Sequence, residues 1–458
     1  MNARCLCAVV AALSLIGSAR SGVLDTVWLK GVTDKNPLTY KCGERIVFTV
    51  EPVGLECKLP EGEYYLKWRR SDDHGNVESG KEPFTGNPFV YHAMLEEPGF
   101  VRLSAYVVDK EGKRYVKKFV GDSLTPEGHR AMNEFEKSKK NVFFDGGAAV
   151  EPALLRCDSE PDDFDLFWVR QFDRLDKVPI KAERVELESP DVKVKLYAVR
   201  VDCAGLRPVT GYLSFPKAAE CGSKFPCHLK THGYNGGLEE HCPPRRVADD
   251  EIVLNINAHG QKLAAFGATE SDLKALRWEV RSNGCTYGFD PKQNKDPETA
   301  YFNGMVLRVK RALQYLKTIE CWNGKDLIAS GGSQGGLQTI WAAGCGEGVT
   351  CAESGVTWCC DMRTNSARKE KEMAGDGWYV PWTESMGYYD AVNWAKRIPL
   401  SCRTIITRAG LGDYTCPPMG LMKLWNNIPG NKRIVWVQGS EHGYVPPKYV
   451  GRDFVFEE

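Results

Sequence analysis

The chain has 458 residues, 42% of them hydrophobic, and its 60 basic side chains balance its 60 acidic ones. This composition is that of a globular protein long enough for more than one domain. Because nucleic acids and anionic membranes select basic surfaces, the zero net charge argues against either as the main partner.

The N-terminus, MNARCLCAVVAALSLIGSARSG, has the pattern of a secretory signal. Arg4 supplies the positive charge, about a dozen apolar residues follow, and Ala19 and Ser21 are small residues placed for cleavage. The apolar run is too short for a comfortable membrane span. We therefore expect a signal peptide over residues 1–21 and a secreted or periplasmic protein, with an N-terminal anchor as the alternative. No later segment reads as a membrane span.

The cysteines fit export. Two of the seventeen, Cys5 and Cys7, lie in the predicted signal. An oxidising compartment would favour disulfides among the rest, although an odd number leaves at least one unpaired. The adjacent residues Cys359 and Cys360, like His241 and Cys242, have no partner pair at zinc-like spacing, so we expect structural cysteines and no metal site.

Residues 22–120 read as all-β. Apolar or alternating segments such as RIVFTVEPV and GFVRLSAYVVD are separated by turn residues, with no helical pattern between them. This spacing predicts a small immunoglobulin-like sandwich. A structural or spacing role is favoured for it, with sugar binding or oligomer formation as alternatives. The polar stretch 121–160 reads as a linker containing one short helix.

Residues 161–458 have a different sequence pattern, with helical as well as strand-like segments. An amphipathic helix, DDFDLFWVRQFDRL, opens the segment, and VKVKLYAVRVD and PVTGYLSFP follow as an antiparallel pair. Short apolar strands then alternate with helical segments, which predicts a largely parallel sheet covered by helices on both faces. In such a fold, functional residues collect at the C-terminal ends of the strands.

The segment LIASGGSQGGLQTIWAAG matches the G-x-S-x-G nucleophile elbow, with Ser333 at its centre. The context is the required one, because a strand precedes the serine and a helix follows it. Glycine is needed on both sides because side chains there would clash where strand and helix meet. A purely mechanical reason, tight packing of the two segments, is the alternative.

A serine hydroxyl needs a base, which in α/β-hydrolases comes later in the chain, after the acid. Of the eight histidines, only His442 lies beyond Ser333. Asp413, at the end of the preceding strand, is the favoured acid, and it would hold the imidazole tautomer and stabilise the imidazolium. Asp361 and Glu441 are the alternatives.

A tetrahedral oxyanion needs two preorganised donors. The backbone N–H of Gln334, directly after the nucleophile, is one candidate. The loop HLKTHGYNGG supplies the second, which we assign to the N–H of Tyr234. The loop NINAHGQ around His259 is a rival, but it follows the next strand and is expected to shape the cleft instead.

Several of these motifs together resemble the acetyl xylan esterases and cephalosporin C deacetylases, a family of α/β-hydrolases. THGYNGG resembles the family's oxyanion loop, GGSQGG its elbow, and GLGDYTCPP and the histidine loop its C-terminal third, in order. The likeness covers about 300 residues and excludes the N-terminal β-domain. It implies the same assignments: Ser333 as nucleophile, Asp413 as acid, His442 as base, and Tyr234 and Gln334 at the oxyanion.

The resemblance further implies deacetylation of acetylated sugars through an acyl-enzyme, without metal or organic cofactor. Family members often assemble into rings, so a homo-oligomer is open, although the added domain could block that contact. A feruloyl-type esterase or a peptidase on the same scaffold is the main alternative, and a non-catalytic carbohydrate-binding protein is a third. Trp378, Tyr379 and Trp382 could close an acyl pocket, stack on a sugar, or form a structural cluster.

Overall fold

A computed structural model describes most of the chain: residues 28–53, 62–117, 124–137, 141–235, 238–365, 378–447 and 451–457. The predicted signal peptide at 1–21 lies outside these residues.

The N-terminal part forms two small antiparallel sheets. The first has the order β1-β2-β5, with β1 (Trp28–Thr33), β2 (Ile46–Val53) and β5 (Phe89–Ala93). The second has the order β4-β3-β6-β7, with β3 (Tyr64–Asp72), β4 (Val77–Pro83), β6 (Gly99–Asp109) and β7 (Phe143–Val150).

One apolar core joins these sheets. Phe48 and Val50 from the first sheet lie in the same buried cluster as Leu103, Val107 and Phe144 from the second. Period-2 alternation of these strands turns one face of each sheet toward this core. The all-β prediction is confirmed; the specific likeness to an immunoglobulin domain stays a prediction.

The predicted linker at 121–160 contains more structure than one short helix. Helix α1 (Pro126–Lys137) is present, but Phe143–Val150 is strand β7, which pairs with β6 along its whole length. Glycines obscured the strand pattern in the sequence FFDGGAAV. They are required by close packing, since a Cβ on Gly147 would lie 2.6 Å from the carbonyl oxygen of Leu411.

The C-terminal part is built on one ten-stranded mixed sheet of the α/β-hydrolase type, with strand order β17-β16-β15-β14-β13-β11-β12-β10-β9-β8. The strands β12, β11, β13, β14, β15 and β16 are parallel to one another, and the remaining pairings are antiparallel. The strand bounds are β8 Ala182–Leu187, β9 Val194–Val201, β10 Val209–Pro216, β11 Phe225–Lys230, β12 Ile252–Ile256, β13 Trp322–Gly332, β14 Cys351–Gly355, β15 Arg403–Gly410, β16 Lys432–Gln438 and β17 Arg452–Glu457.

The helices of this part whose bounds lie within the described residues are α2 (Phe164–Asp176), α3 (Glu270–Glu279), α4 (Tyr301–Lys317), α5 (Gln334–Gly344), α6 (Ala391–Ala395) and α7 (Pro418–Asn427). The amphipathic helix predicted to open the domain is α2, which buries Phe164, Phe167 and Trp168. Helices α4 and α5 are almost wholly buried against the sheet. Among the described residues, we find no helix with the length and apolar character that a bilayer crossing needs.

Strand β14 ends at Gly355, because the next residue, Val356, has φ 43° and turns the chain out of the sheet. One expectation needs correction. The fourteen cysteines within the described ranges are all free thiols, so the expected disulfides are absent there. Several are buried in the core as small apolar side chains, as Cys345 and Cys360 are, each with its Sγ against a nearby backbone carbonyl.

Strand β7 also packs directly on the large sheet. Phe100 of the adjoining strand contacts Trp436 of β16, with ring centroids 5.6 Å apart. A Cβ on Gly412 would meet the backbone of Asp145 at 2.4 Å, so the two chains are in van der Waals contact. The N-terminal unit therefore rests on the loops that follow β15 and β16, where Asp413 and His442 lie.

Candidate active site

Ser333 lies at the sharp turn between β13 and α5. Its backbone has φ 57° and ψ −118°, a left-handed conformation that costs energy for any residue with a Cβ. A Cβ on Gly331 would lie 2.2 Å from Thr231 Oγ1, and one on Gly335 would lie 2.8 Å from the Thr231 carbonyl oxygen. Both glycines therefore meet a steric requirement, and the strained turn presents the serine side chain at the sheet edge. The mechanical and chemical explanations of the motif apply together.

Three predicted residues form one hydrogen-bonded chain. His442 Nε2 lies 3.2 Å from Ser333 Oγ, and His442 Nδ1 lies 2.9 Å from Asp413 Oδ2. The second oxygen of Asp413 accepts the backbone N–H groups of Thr415 and Cys416 at 2.8 and 2.9 Å. Because the carboxylate is buried and held at both oxygens, it fixes the orientation of the imidazole.

The charge state of His442 depends on its neighbours. Burial lowers the pKa of its imidazole, but the hydrogen bond and charge of Asp413, with the charge of Glu441, outweigh burial and raise it above its ordinary value. The nearby cation of Arg408 acts in the opposite direction. The raised pKa makes His442 a stronger proton acceptor than a free imidazole.

The two alternative acids, Asp361 and Glu441, do not form the hydrogen bond to His442. Asp361 forms a buried ion pair with Lys423, whose Nζ lies 2.6 Å from Asp361 Oδ2. Glu441 influences His442 through its charge, whereas the hydrogen bond to the imidazole comes from Asp413. The geometry thus favours Asp413 over both.

The loop after β11 lies beside the elbow. Thr231 Oγ1 donates to the carbonyl oxygen of Gly335 at 2.8 Å, and a Cβ on Gly233 would lie 3.6 Å from the Gly332 carbonyl oxygen. Tyr234 follows on this loop, and Gln334 is the first residue of α5. Both predicted oxyanion donors therefore belong to segments that touch next to Ser333.

Tyr287 links these two segments, and the sequence analysis missed it. Its hydroxyl donates to Gln334 Oε1 at 2.8 Å and accepts the backbone N–H of Asn235 at 3.0 Å. Its ring also stacks on Tyr234, with centroids 4.3 Å apart. The segment around it, CTYGFD, has no motif that distinguishes such a residue from an ordinary core tyrosine.

His232 joins the rival loop to the oxyanion loop. Its Nδ1 lies 2.8 Å from the Gly233 carbonyl oxygen, and its Nε2 accepts the N–H of Ala258 at 2.9 Å. Burial lowers the pKa of His232, which favours the neutral ring that this pattern of one donor and one acceptor requires. The loop containing His259 therefore holds the oxyanion loop in place through the hydrogen bond between Ala258 and His232.

Arg408 is a second residue that sequence reasoning missed. It lies in β15 at a register irregularity between Ile406 and Ala409, and its φ is 55°. Its guanidinium lies beside the elbow, because a Cβ on Gly332 would lie 3.3 Å from its Nη2. A bulge that re-aims one side chain toward an active site is a recurring device, but nothing in the regular apolar pattern TIITRAG signals it.

The aromatic residues near 380 have separate roles. The half-exposed Trp378 joins a ring cluster with Tyr234, Phe289 and, through its carbonyl oxygen, the Trp358 indole N–H. Tyr379 is buried, and its hydroxyl donates to the carbonyl oxygen of Tyr414. Of the three predicted candidates, Trp378 is thus the one that lies against the oxyanion loop.

A metal is the other chemistry that these side chains could support. Asp413, Cys416 and His442 offer three potential ligand atoms within 4.8 Å of one another. Burial raises the pKa of the Cys416 thiol well above its ordinary value, which disfavours the thiolate that a metal binds. The same carboxylate and imidazole are already committed to each other by their hydrogen bond.

Comparison with known proteins shows that this chain is similar to acetyl xylan esterases. Residues 155–374 match the family model of acetyl xylan esterase. The acetyl esterase Axe7A of Xylanibacter ruminicola is 27% identical over 350 residues, which cover 70% of this chain and 75% of that protein. The matched family segment includes Ser333 and ends before Asp413 and His442.

Two solved structures share the α/β-hydrolase scaffold. The acetyl xylan esterase from Paenibacillus sp. R4 has a TM-score of 0.50 and 22% identity, over 65% of this chain and 94% of its own. Acetyl xylan esterase 1 from Thermoanaerobacterium sp. JW/SL YS485 has a TM-score of 0.50 and 19% identity, over 64% of this chain and 92% of its own.

Proposed function

We propose that this chain removes acetyl groups from xylan-type oligo- and polysaccharides, because its residues 155–374 match the family model of acetyl xylan esterase, a carboxylic ester hydrolase. The observation that carries the proposal is the hydrogen-bonded chain from Ser333 through His442 to Asp413 at the C-terminal edge of the sheet. The esterase class is the one expected from the sequence.

In the proposed reaction, His442 Nε2 takes the proton from Ser333 Oγ as the oxygen attacks the acetyl carbonyl. Asp413 stabilises the resulting imidazolium through Nδ1. The imidazolium then protonates the departing sugar oxygen, and the C–O bond to the sugar breaks to leave an acetyl-serine. Water, deprotonated by the same imidazole, releases acetate and restores the serine.

The carbonyl oxygen gains negative charge during both steps. We assign its stabilisation to the backbone N–H groups of Tyr234 and Gln334, which lie on the two segments that meet beside the nucleophile. Loss of one such donor typically costs about 10²–10³ in kcat. The bridge through Tyr287 keeps the two segments in register.

The aromatic cluster supports a small acyl group. The ring of Tyr234 is enclosed by Tyr287, Phe289, Trp358 and Trp378 at centroid distances of 4.3 to 5.7 Å. Bulky rings packed around the oxyanion loop restrict the space for an acyl chain. We therefore expect acetate to be preferred over feruloyl-type and long-chain acyl groups.

The test measures acetate release from acetylated xylan and xylo-oligosaccharides by the wild type and Ser333→Ala, with Ser189→Ala on a surface turn as the matched control. A p-nitrophenyl series from acetate to octanoate runs in parallel. Acetate release that disappears only in Ser333→Ala, with the shortest ester preferred, supports the proposal. Preference for long or aromatic acyl groups indicates a different esterase, and absence of Ser333-dependent turnover indicates a peptidase or binding protein.

We also propose that the protein is exported, because an enzyme acting on polysaccharide must meet its substrate outside the cell, and residues 1–21 have a signal-like pattern. N-terminal sequencing of the mature protein tests this. A start near residue 22 supports export, and a retained Met1 contradicts it.

A further inference from the structure

The peptide group between Gly233 and Tyr234 is hydrogen-bonded at one end only. Its carbonyl oxygen, that of Gly233, lies 2.8 Å from His232 Nδ1. Its N–H, that of Tyr234, meets no acceptor among the residues that the structure describes. The peptide also lies against the elbow, since a Cβ on Gly233 would be 3.6 Å from the Gly332 carbonyl oxygen. The N–H that we assign to the oxyanion is therefore available to a substrate.

The tautomer of His232 follows from its other ring nitrogen. The backbone N–H of Ala258 donates to His232 Nε2 at 2.9 Å. Because a backbone amide nitrogen is always the donor, Nε2 must be the unprotonated nitrogen, and a neutral ring then carries its proton on Nδ1. His232 Nδ1 therefore donates to the Gly233 carbonyl oxygen. A cationic ring would place a second N–H against that of Ala258.

Ala258 is itself held by a buried cation. Arg308 of α4 donates from Nε and from Nη2 to the Ala258 carbonyl oxygen, at 3.0 and 2.7 Å. Both residues are buried, and Ala258 follows β12, the parallel neighbour of the strand that leads into His232. The donor that fixes the tautomer of His232 is therefore fixed in position as well.

The surroundings of His232 favour a neutral ring. The rings of His241 and His259 lie 6.0 and 5.9 Å from it, centroid to centroid. Burial lowers the pKa of His232 and His259, and it lowers the pKa of His241 to about 4. Three neutral imidazoles thus lie together at neutral pH, and the hydrogen bond from His232 Nδ1 persists there.

The two ends of one peptide group are electronically coupled. A hydrogen bond accepted by the carbonyl oxygen draws electron density toward that oxygen and makes the N–H of the same peptide more positive. The hydrogen bond from His232 Nδ1 therefore strengthens the Tyr234 N–H as a donor. It also fixes the plane of the peptide, and with it the direction of that N–H.

We propose that His232 is a positioning residue for the reaction: through Nδ1 it orients and polarises the Gly233–Tyr234 peptide, so that the Tyr234 N–H stabilises the oxyanion formed when Ser333 attacks. This inference rests on the proposed function, in which that N–H is one of the two donors. It assigns His232 a role in lowering the barrier, in addition to joining two loops.

Two substitutions separate the two hydrogen bonds of His232. The amide nitrogen of His232→Asn can take the place of Nδ1 and donate to Gly233, whereas the amide oxygen of His232→Gln can take the place of Nε2 and accept from Ala258. With p-nitrophenyl acetate we expect His232→Asn to keep kcat within about three-fold and His232→Gln to lose about ten-fold or more, with KM little changed in both. The exposed His92 of β5 provides the control pair, His92→Asn and His92→Gln, which should change neither parameter.

Urea unfolding of both His232 variants accompanies the kinetics. Each variant loses one hydrogen bond, so similar losses of stability are expected, and stability then does not account for a difference in kcat. Equal losses of kcat in the two variants, or a larger loss in His232→Asn, overturn the proposal, because the ring would then serve only to join the loops. A rise in KM in place of the fall in kcat also overturns it.

A measurement on the resting protein separates this inference from the proposed function. Nitrogen NMR spectra of full-length Ser333→Ala labelled at histidine show which ring nitrogen carries the proton, and the same protein with His232→Asn identifies the His232 signals. A proton on Nδ1 alone at neutral pH supports the proposal, whereas a proton on Nε2 overturns it. The two proposals fail separately: absence of acetate release from xylan contradicts the proposed substrate, while p-nitrophenyl acetate and the ring tautomer report on His232.

Discussion

Gln438 exchanges two hydrogen bonds with the backbone of Gly147: its Nε2 donates to the glycine carbonyl oxygen, and its Oε1 accepts the glycine N–H, each at 2.9 Å. The side-chain amide thus pairs with the backbone of strand β7 in the way that the peptide group of a neighbouring strand would. Because Gln438 ends the strand that leads into the His442 loop, this pair fastens the N-terminal unit to the candidate base.

Replacing Gln438 with Leu should destabilise the protein by about 2–4 kcal/mol, because two buried backbone groups of Gly147 lose their partners. Urea unfolding measures the change. Gln314→Leu, whose amide bonds only to side chains, is the control and should cost less. An unfolding free energy equal to that of the wild type would mean that water replaces the lost partners.

Substitutions of the two buried aspartates should affect different properties, namely activity at Asp413 and stability at Asp361. Asp413→Asn should lower kcat by about 10³–10⁴-fold, because the amide no longer fixes the imidazole tautomer or stabilises the imidazolium. Its effect is read in steady-state kinetics on p-nitrophenyl acetate.

Asp361→Asn is the matched substitution at the rejected acid. It leaves the Lys423 cation buried without its partner, which should cost about 3–5 kcal/mol of stability while the folded fraction keeps its kcat. Lys423→Met added to it should recover much of that stability. A large loss of kcat in folded Asp361→Asn would reassign the acid.

Tyr287→Phe should lower kcat about ten-fold or more with little change in KM, because the hydroxyl that bridges the Asn235 and Gln334 segments is lost and the oxyanion donors shift. Tyr315→Phe is the control, since it removes a hydroxyl that bonds to Arg184, away from the site. Equal kinetic effects of the two substitutions would remove Tyr287 from the oxyanion arrangement.

The pH profile should respond to two charges with opposite signs. His442 must be neutral to act as base, so kcat/KM falls as the pH drops through its raised pKa. Arg408 lowers the pKa of His442, so Arg408→Gln should move the acidic limb to higher pH. Glu441 raises it, so Glu441→Gln should move the limb to lower pH. Shifts in the same direction would show that another group controls the limb.

The alternation of strands and helices in the C-terminal part, and the grouping of Ser333 with His442 and Asp413, follow from local signals in the sequence. A glycine-flanked serine between a strand and a helix has few structural alternatives, and one histidine beyond it left little choice of base. Tyr287 and Arg408 could not be predicted in this way. Tyr287 acts through tertiary contacts of its hydroxyl, and Arg408 through a bulge that interrupts a regular apolar strand.

The N-terminal unit shows the same limit. Its strands could be predicted from alternation, but β7 could not, because Gly146 and Gly147 remove the apolar pattern where the chain packs most closely. The disulfide prediction was wrong for the described cysteines for a related reason. An exported protein is expected to form disulfides, whereas buried cysteines here pack as small apolar side chains.

The missing side chain at Gly412 has an evolutionary consequence. The backbone of Asp145 fills the space that a Cβ would take, one residue before the candidate acid. Any larger residue at 412 would push the N-terminal sheet away from the loop that holds Asp413. The two units are therefore matched to each other: a hydrolase domain can carry this N-terminal sheet only with glycine at that position, and a chimaera with a larger residue there should fail first at Asp413.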